Sequence, residues 1–224
     1  METRQRPKKL YQYQPYNVRT ISNLIIRNIY LGSPAHFNDP SECRFNIVPP
    51  AEENEHTLAR CREIITKLGI CCLSEHHPKS ADSFLMWSHY ADRHRGFCIE
   101  FDTSKKPFSS AWEMGYEDDY PSIDFSPLMN NDELSDEETR KSLKTKSKHW
   151  EREAEWRIIA QEEGFEEYNA TQLTAIYFGV RMEDYEFNAV ARLLCSNDIK
   201  PALFRMRIHP KSYGLEADEL EYTG

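Results

Sequence analysis

Glycine is scarce in this chain, with 8 residues in 224, and none sits in a Gly-rich turn after an apolar strand. That excludes a dinucleotide-binding fingerprint or a P-loop, both of which need glycine where backbone closes on phosphate. No run of about 18 apolar residues exists, so no segment reads as a membrane-spanning helix. The basic start, Met1 to Lys9, leads into no apolar stretch and does not read as a secretion signal. Six cysteines form no Cys-x-x-Cys pair. They read as buried, reduced thiols in a cytoplasmic protein, with no metal expected. A net charge of −9 argues against general affinity for nucleic acid, which depends on neutralising phosphates. Flexible tethers rich in Gly or Ser are missing as well.

What is present is a sequence of short apolar patterns. Alternation predicts strands at Lys9–Tyr13, Ile29–Ser33, Trp112–Tyr120, Glu155–Gln161, Ala202–Ile208 and Glu216–Tyr222. The continuous apolar run Ile70–Ser74 reads as a central strand, and Leu173–Gly179 as another strand, capped by Gly179. Helical spacing predicts helices over Val18–Asn28, Glu52–Lys67 and Met182–Ser196. A further short helix carries Trp87, Ser88, His89, Tyr90 and His94, is stopped by Gly96, and is followed by a strand ending on Glu100 and Asp102. These elements predict one α+β domain over residues 1–224, with a mixed, largely antiparallel sheet interrupted by helices. Residues 1–8 are expected to be a flexible basic tail, and residues 126–148 an exposed charged insert. His76 and His77 precede Pro78 in a polar loop and are expected to face solvent.

Two stretches carry most of the chemistry. In a strand, Glu153, Glu155 and Arg157 share one face while Trp156 and Ile158 pack on the core. Glu155 is then placed to stabilise positive charge developing at an anomeric carbon, with Arg157 pairing a phosphate or holding Glu155. The alternative is a surface ion-pair ladder on an edge strand. His89 interrupts an amphipathic helix and suits a general acid or base. Trp87 and Tyr90 are either core aromatics or part of a binding site. Ser88 beside His89 is no hydrolase signature, because adjacent helix positions face apart and no Gly-x-Ser-x-Gly elbow surrounds it. Asn38-Asp39-Pro40 is either a turn or a loop lining a pocket mouth.

The set Leu10–Tyr13, Phe37-Asn-Asp-Pro40, Leu73-Ser74, Leu85–Ala91, Gly96–Asp102 and Glu153–Arg157 resembles the bacterial domain-of-unknown-function family numbered 2971. The likeness runs from about Leu10 to about Gly179. More loosely, the order of elements is similar to NAD-dependent ADP-ribosyltransferases. Where such enzymes carry His or Arg on the first strand, Tyr11, Gln12, Tyr13 and Gln14 stand here, so Arg19 or His89 would substitute.

That second likeness implies an enzyme using NAD as substrate, an ADP-ribosyltransferase or NAD glycohydrolase, in a toxin or antiphage setting. Glu155 and His89 are its expected catalytic residues. Tyr11, Tyr13, Trp87, Ser88, Tyr90, Arg157 and Asn38 are its expected cofactor-binding residues. A nucleotide ligand, a protein or nucleic-acid acceptor and a regulatory protein would be the partners, with no membrane. Two alternatives stay open. One is a metal-dependent nuclease using Glu100, Asp102 and Glu155. The other is a non-catalytic ligand-sensing or partner-binding module.

Overall fold

The computed structural model describes residues 4–47, 59, 63–123 and 143–221. Much of the helix expected over 52–67, and the charged insert as far as residue 142, lie outside them. In chain order the elements begin with β1 (Lys9–Gln14), α1 (Val18–Ile26), β2 (Asn28–Leu31), β3 (Asn46–Ile47), β4 (Gly69–Ser74), α2 (Ser83–Tyr90) and β5 (Phe97–Asp102). Next come β6 (Trp112–Glu113), β7 (Gly115–Glu117), β8 (Ser122–Ile123) and β9 (Thr145–Ser147). The chain then forms β10 (Glu155–Ala160), β11 (Gly164–Glu167), β12 (Leu173–Phe178), α3 (Asp184–Ser196), β13 (Ala202–Ile208) and β14 (Leu215–Leu220). The class is mixed α+β with mostly antiparallel pairing. No helix among the described residues is long and apolar enough to cross a membrane.

Contacts divide the chain into two compact units, one from Met1–Ile29, Cys72–Ser110 and Glu166–Gly224, the other from Tyr30–Cys71 and Ala111–Phe165. In the first, the strand order is β14-β13-β12-β5-β1. β1 and β5 pair antiparallel with Tyr11 opposite Glu100 and Tyr13 opposite Cys98. β12 and β13 run parallel, joined through α3. A β-α-β crossover is therefore present, built from the strand, helix and strand that the sequence pattern predicts over 173–208.

Helix α3 starts at Glu183 with a reciprocal capping box to Glu186. Acidic residues in its first turn favour the positive end of the helix dipole. It buries Val190 and Leu194. Helix α2 turns Met86 and Trp87 into a core with Tyr11, Tyr13, Cys98, Tyr177 and Met206.

Helix α2 ends at Tyr90, short of Gly96, so glycine does not terminate it. Asp92, Arg93 and His94 follow in left-handed backbone, at φ of 43°, 55° and 69°. Gly96 is needed for a different reason. A Cβ there would lie 2.0 Å from the Gln14 carbonyl oxygen, so only glycine lets the two backbones meet.

The second unit holds β6, β7, β9 and β10. β10 pairs antiparallel with β6, matching Trp156 to Glu113 and Arg157 to Trp112. β7 and β9 pair parallel, with Tyr116 opposite Lys146. The expected single strand over Trp112–Tyr120 is thus two short ones. Its apolar core gathers Cys43, Ile65, Leu68, Ile70 and Leu143, with Phe37, Phe45 and Ile159 packed against it.

The cysteine expectation holds for part of the set. Cys43, Cys71 and Cys98 are buried free thiols, but Cys72 and Cys195 are exposed. Cys72 sits where β4, read as continuously buried, turns one residue to solvent.

Candidate functional site

The second unit encloses a cluster of five buried charges. Lys146, on β9, sends its Nζ to Glu153 Oε2 at 2.6 Å and to Glu155 Oε2 at 2.8 Å, with Glu42 Oε2 at 3.8 Å. Arg157 donates from Nε to Glu155 Oε1 at 2.6 Å and from Nη2 to Glu42 Oε1 at 2.7 Å. Its Nη1 donates to the Leu143 carbonyl at 3.2 Å. All five side chains are at most 7 % exposed. Burial opposes the Lys146 charge, but Glu155, Glu153 and Glu42 outweigh it and hold the ammonium's pKa above its ordinary value.

Local backbone explains how two carboxylates reach one ammonium. Lys148–Glu153 is a 3₁₀ turn, and Ala154 takes a left-handed conformation (φ 43°) before β10 begins. Glu153 therefore comes to Lys146 from a turn, and Glu155 and Arg157 come from the strand. Strand alternation puts Glu155 and Arg157 together as expected, whereas Glu153 lies outside the strand and joins them from the turn through Lys146. The group is neither a surface ladder nor on an exposed face. Glu155, Trp156, Arg157 and Ile158 are all buried, so both faces of β10 are covered. The charged insert is corrected too, because Leu143 and Lys146 at its end are buried.

The Asn38-Asp39-Pro40 loop is drawn into the same cluster. Trp150 Nε1 donates to Asp39 Oδ2 at 2.7 Å, and Arg157 holds Glu42. Asp39 also accepts from the Ser41 backbone N–H at 2.8 Å and its hydroxyl at 2.7 Å. Partial burial works to raise the Asp39 carboxyl. The bonds from Ser41 and Trp150, with the Lys146 charge, outweigh it and hold the group below its ordinary value. Cys43, next in the loop, is pushed up to about 11 by burial, against the pull of Arg157.

Glu42 and Lys146 of the cluster also line a cleft of about 280 Å³, together with Asp39, Ser41, Arg44 and the acidic run Glu117–Asp119. Glu155 does not line it. That carboxylate bears on the cleft through Lys146, and through Arg157 on Glu42. Sequence reading put Asp39 no further than a turn or pocket mouth, and it missed Glu42, Lys146 and Trp150. Only the proximity of Glu42 to the Asn-Asp-Pro turn could have flagged one of them.

The remaining expected site residues lie elsewhere. Asn38 is exposed beside Asp39. In the first unit, Trp87 is wholly buried, donates from Nε1 to the Pro78 carbonyl at 3.0 Å, and meets Tyr13 edge-on at 5.3 Å. Tyr11 and Tyr13 are each 6 % exposed. Burial holds both phenols well above their ordinary pKa. Those three are core side chains. Ser88 and His89 are exposed, and Tyr90 is half-buried.

His77 is not solvent-facing as expected. It is half-buried, edge-on to Tyr11 and Tyr177 at 5.4 Å each. Its Nδ1 accepts the Lys79 backbone N–H at 3.2 Å, leaving Nε2–H for the Tyr177 hydroxyl at 3.3 Å. Tyr177 in turn donates to Glu100 at 3.1 Å.

Residues 86–158 match the model of a family described as "Protein of unknown function (DUF2971)". The matched stretch carries Lys146, Glu153, Glu155 and Arg157, and supports the likeness seen in the motifs. No curated protein and no solved structure matches the chain.

Proposed function

We propose that the protein is an NAD-consuming enzyme, an ADP-ribosyltransferase or NAD glycohydrolase, with the cleft of the second unit as its centre. One observation carries this reading: Glu42 lines the cleft while Arg157 and Lys146 tie it to Glu155 and Glu153. With all five groups ionised, three carboxylates against two cations leave a net charge of −1 in the cluster. Loss of nicotinamide from NAD leaves positive charge at the anomeric carbon of the ribose. Carboxylates already fixed by buried partners need no reorganisation to stabilise that charge, so they favour the transition state over the ground state. Here Glu42 is the carboxylate that faces substrate, and Asp39 is a candidate acceptor for ribose hydroxyls. Glu155 is a positioning residue that holds Arg157 and Lys146.

The test is calorimetric titration with NAD beside an assay for released nicotinamide. The expected result is binding with release, with Glu42→Gln lowering the rate about 100-fold or more, the scale of losing one preorganised electrostatic group. Absence of both binding and release would remove the proposal.

A further inference from the structure

The first unit carries a hydroxyl and an imidazole brought together by unusual backbone. Ser88 Oγ lies 3.3 Å from His94 Nε2, although the two are six residues apart and helix α2 stops between them. Three consecutive residues, Asp92, Arg93 and His94, take left-handed backbone, and none is glycine. A left-handed conformation is unfavourable for a non-glycine residue, and such outliers persist only where the surroundings impose them.

The surroundings here are specific. Arg93 N–H donates to the Ser88 carbonyl at 3.3 Å, His94 N–H to the Trp87 carbonyl at 3.1 Å, and Arg181 N–H to the His94 carbonyl at 2.9 Å. The His94 ring stacks on Trp87 at 6.1 Å and 11°, and meets Phe84 edge-on at 6.1 Å. The imidazole is thereby held with Nε2 toward an exposed serine. Half-burial, then the nearby Arg181, push the His94 pKa below its ordinary value, so the ring is neutral at pH 7.

We propose that Ser88 and His94 form a nucleophile–base pair that takes small activated acyl esters. In the tautomer with its proton on Nδ1, His94 accepts the Ser88 proton at Nε2 while Oγ bonds to the acyl carbon. The tetrahedral adduct then breaks the bond to the alcohol, which leaves with the proton returned by His94. Water, deprotonated by His94 in the same way, releases the acid and restores Ser88. The trapped backbone does what an adjacent-residue reading of Ser88 and His89 could not, because it folds a later histidine back over the helix end.

The experiment treats the full-length protein with a fluorophosphonate probe and maps the label by peptide mass spectrometry. Hydrolysis of p-nitrophenyl acetate is followed in parallel. The expected result is label on Ser88 and ester turnover, both abolished in Ser88→Ala. His94→Gln should slow labelling about 100-fold, as for loss of a general base. The pH–rate profile should rise to a plateau with its half-point below about 6.5, the ordinary histidine value. Circular dichroism of Ser88→Ala, an exposed and conservative change, checks that the fold is kept. No label on Ser88, or a labelling rate unchanged in His94→Gln, overturns the pair.

Discussion

Lys146 keeps its charge inside the protein because three carboxylates surround it, and the consequence can be measured. Lys146→Met should destabilise the chain by about 3–5 kcal/mol in urea unfolding, the usual cost of removing one partner from a buried ionic cluster. Because the folded pKa lies above the unfolded one, this contribution is complete at neutral pH. It fades only as pH rises through the folded value, in the strongly alkaline range. His77 has the opposite sign. Its folded pKa is lowered, by burial first and Lys79 second, with Glu100 opposing, so the unfolded chain binds the proton sooner. Stability is then present above about pH 6.5 and lost as pH falls through the folded value. The unfolding temperature should drop between pH 7 and pH 5, and drop less in His77→Gln. Trp87 and His89, neighbours in one motif, should separate cleanly in the same assay. Trp87→Ala should cost about 3–5 kcal/mol, whereas His89→Ala, at an exposed position, should stay within about 0.5 kcal/mol.

At the scale of elements, the boundaries that matter are set by what packs on them. Gly96 and Gly179 lie at close backbone approaches. A Cβ on Gly179 would sit 2.2 Å from the His94 carbonyl oxygen, just as one on Gly96 would strike Gln14. Gly96→Ala should therefore cost at least about 1–3 kcal/mol, as overpacking does, and a urea midpoint would show it. Strand and helix positions along β1, β5, β12, α3 and β13 were legible because period-2 and period-3.6 patterns record which face is buried. The short β6, β7 and β9 were not, since two- and three-residue strands carry no period. The left-handed turn at Asp92–His94 left no mark either, because it contains no glycine, and Asp and His, though enriched in that conformation, adopt it too rarely to signal three in a row.

For the molecule as a whole, pairing on both sides shields β5, β12 and β13 within the first unit, so their amides should exchange more slowly than those of β14 at the edge. The amino-acid order by itself determined the α+β class, the apolar faces of the main elements and the common strand face of Glu155 and Arg157. Each of these follows from interactions between near neighbours in the chain. Tertiary structure alone decided that this face is buried and that Glu42, from about 115 residues away, completes it. It also decided that Asp39 meets Trp150 and that His94 turns back on Ser88. Burial and long-range pairing depend on which segments meet across the core, and no local period encodes that. For the same reason, motifs that looked like a surface ladder and a simple turn proved to be two halves of one buried ionic cluster bordering a cleft.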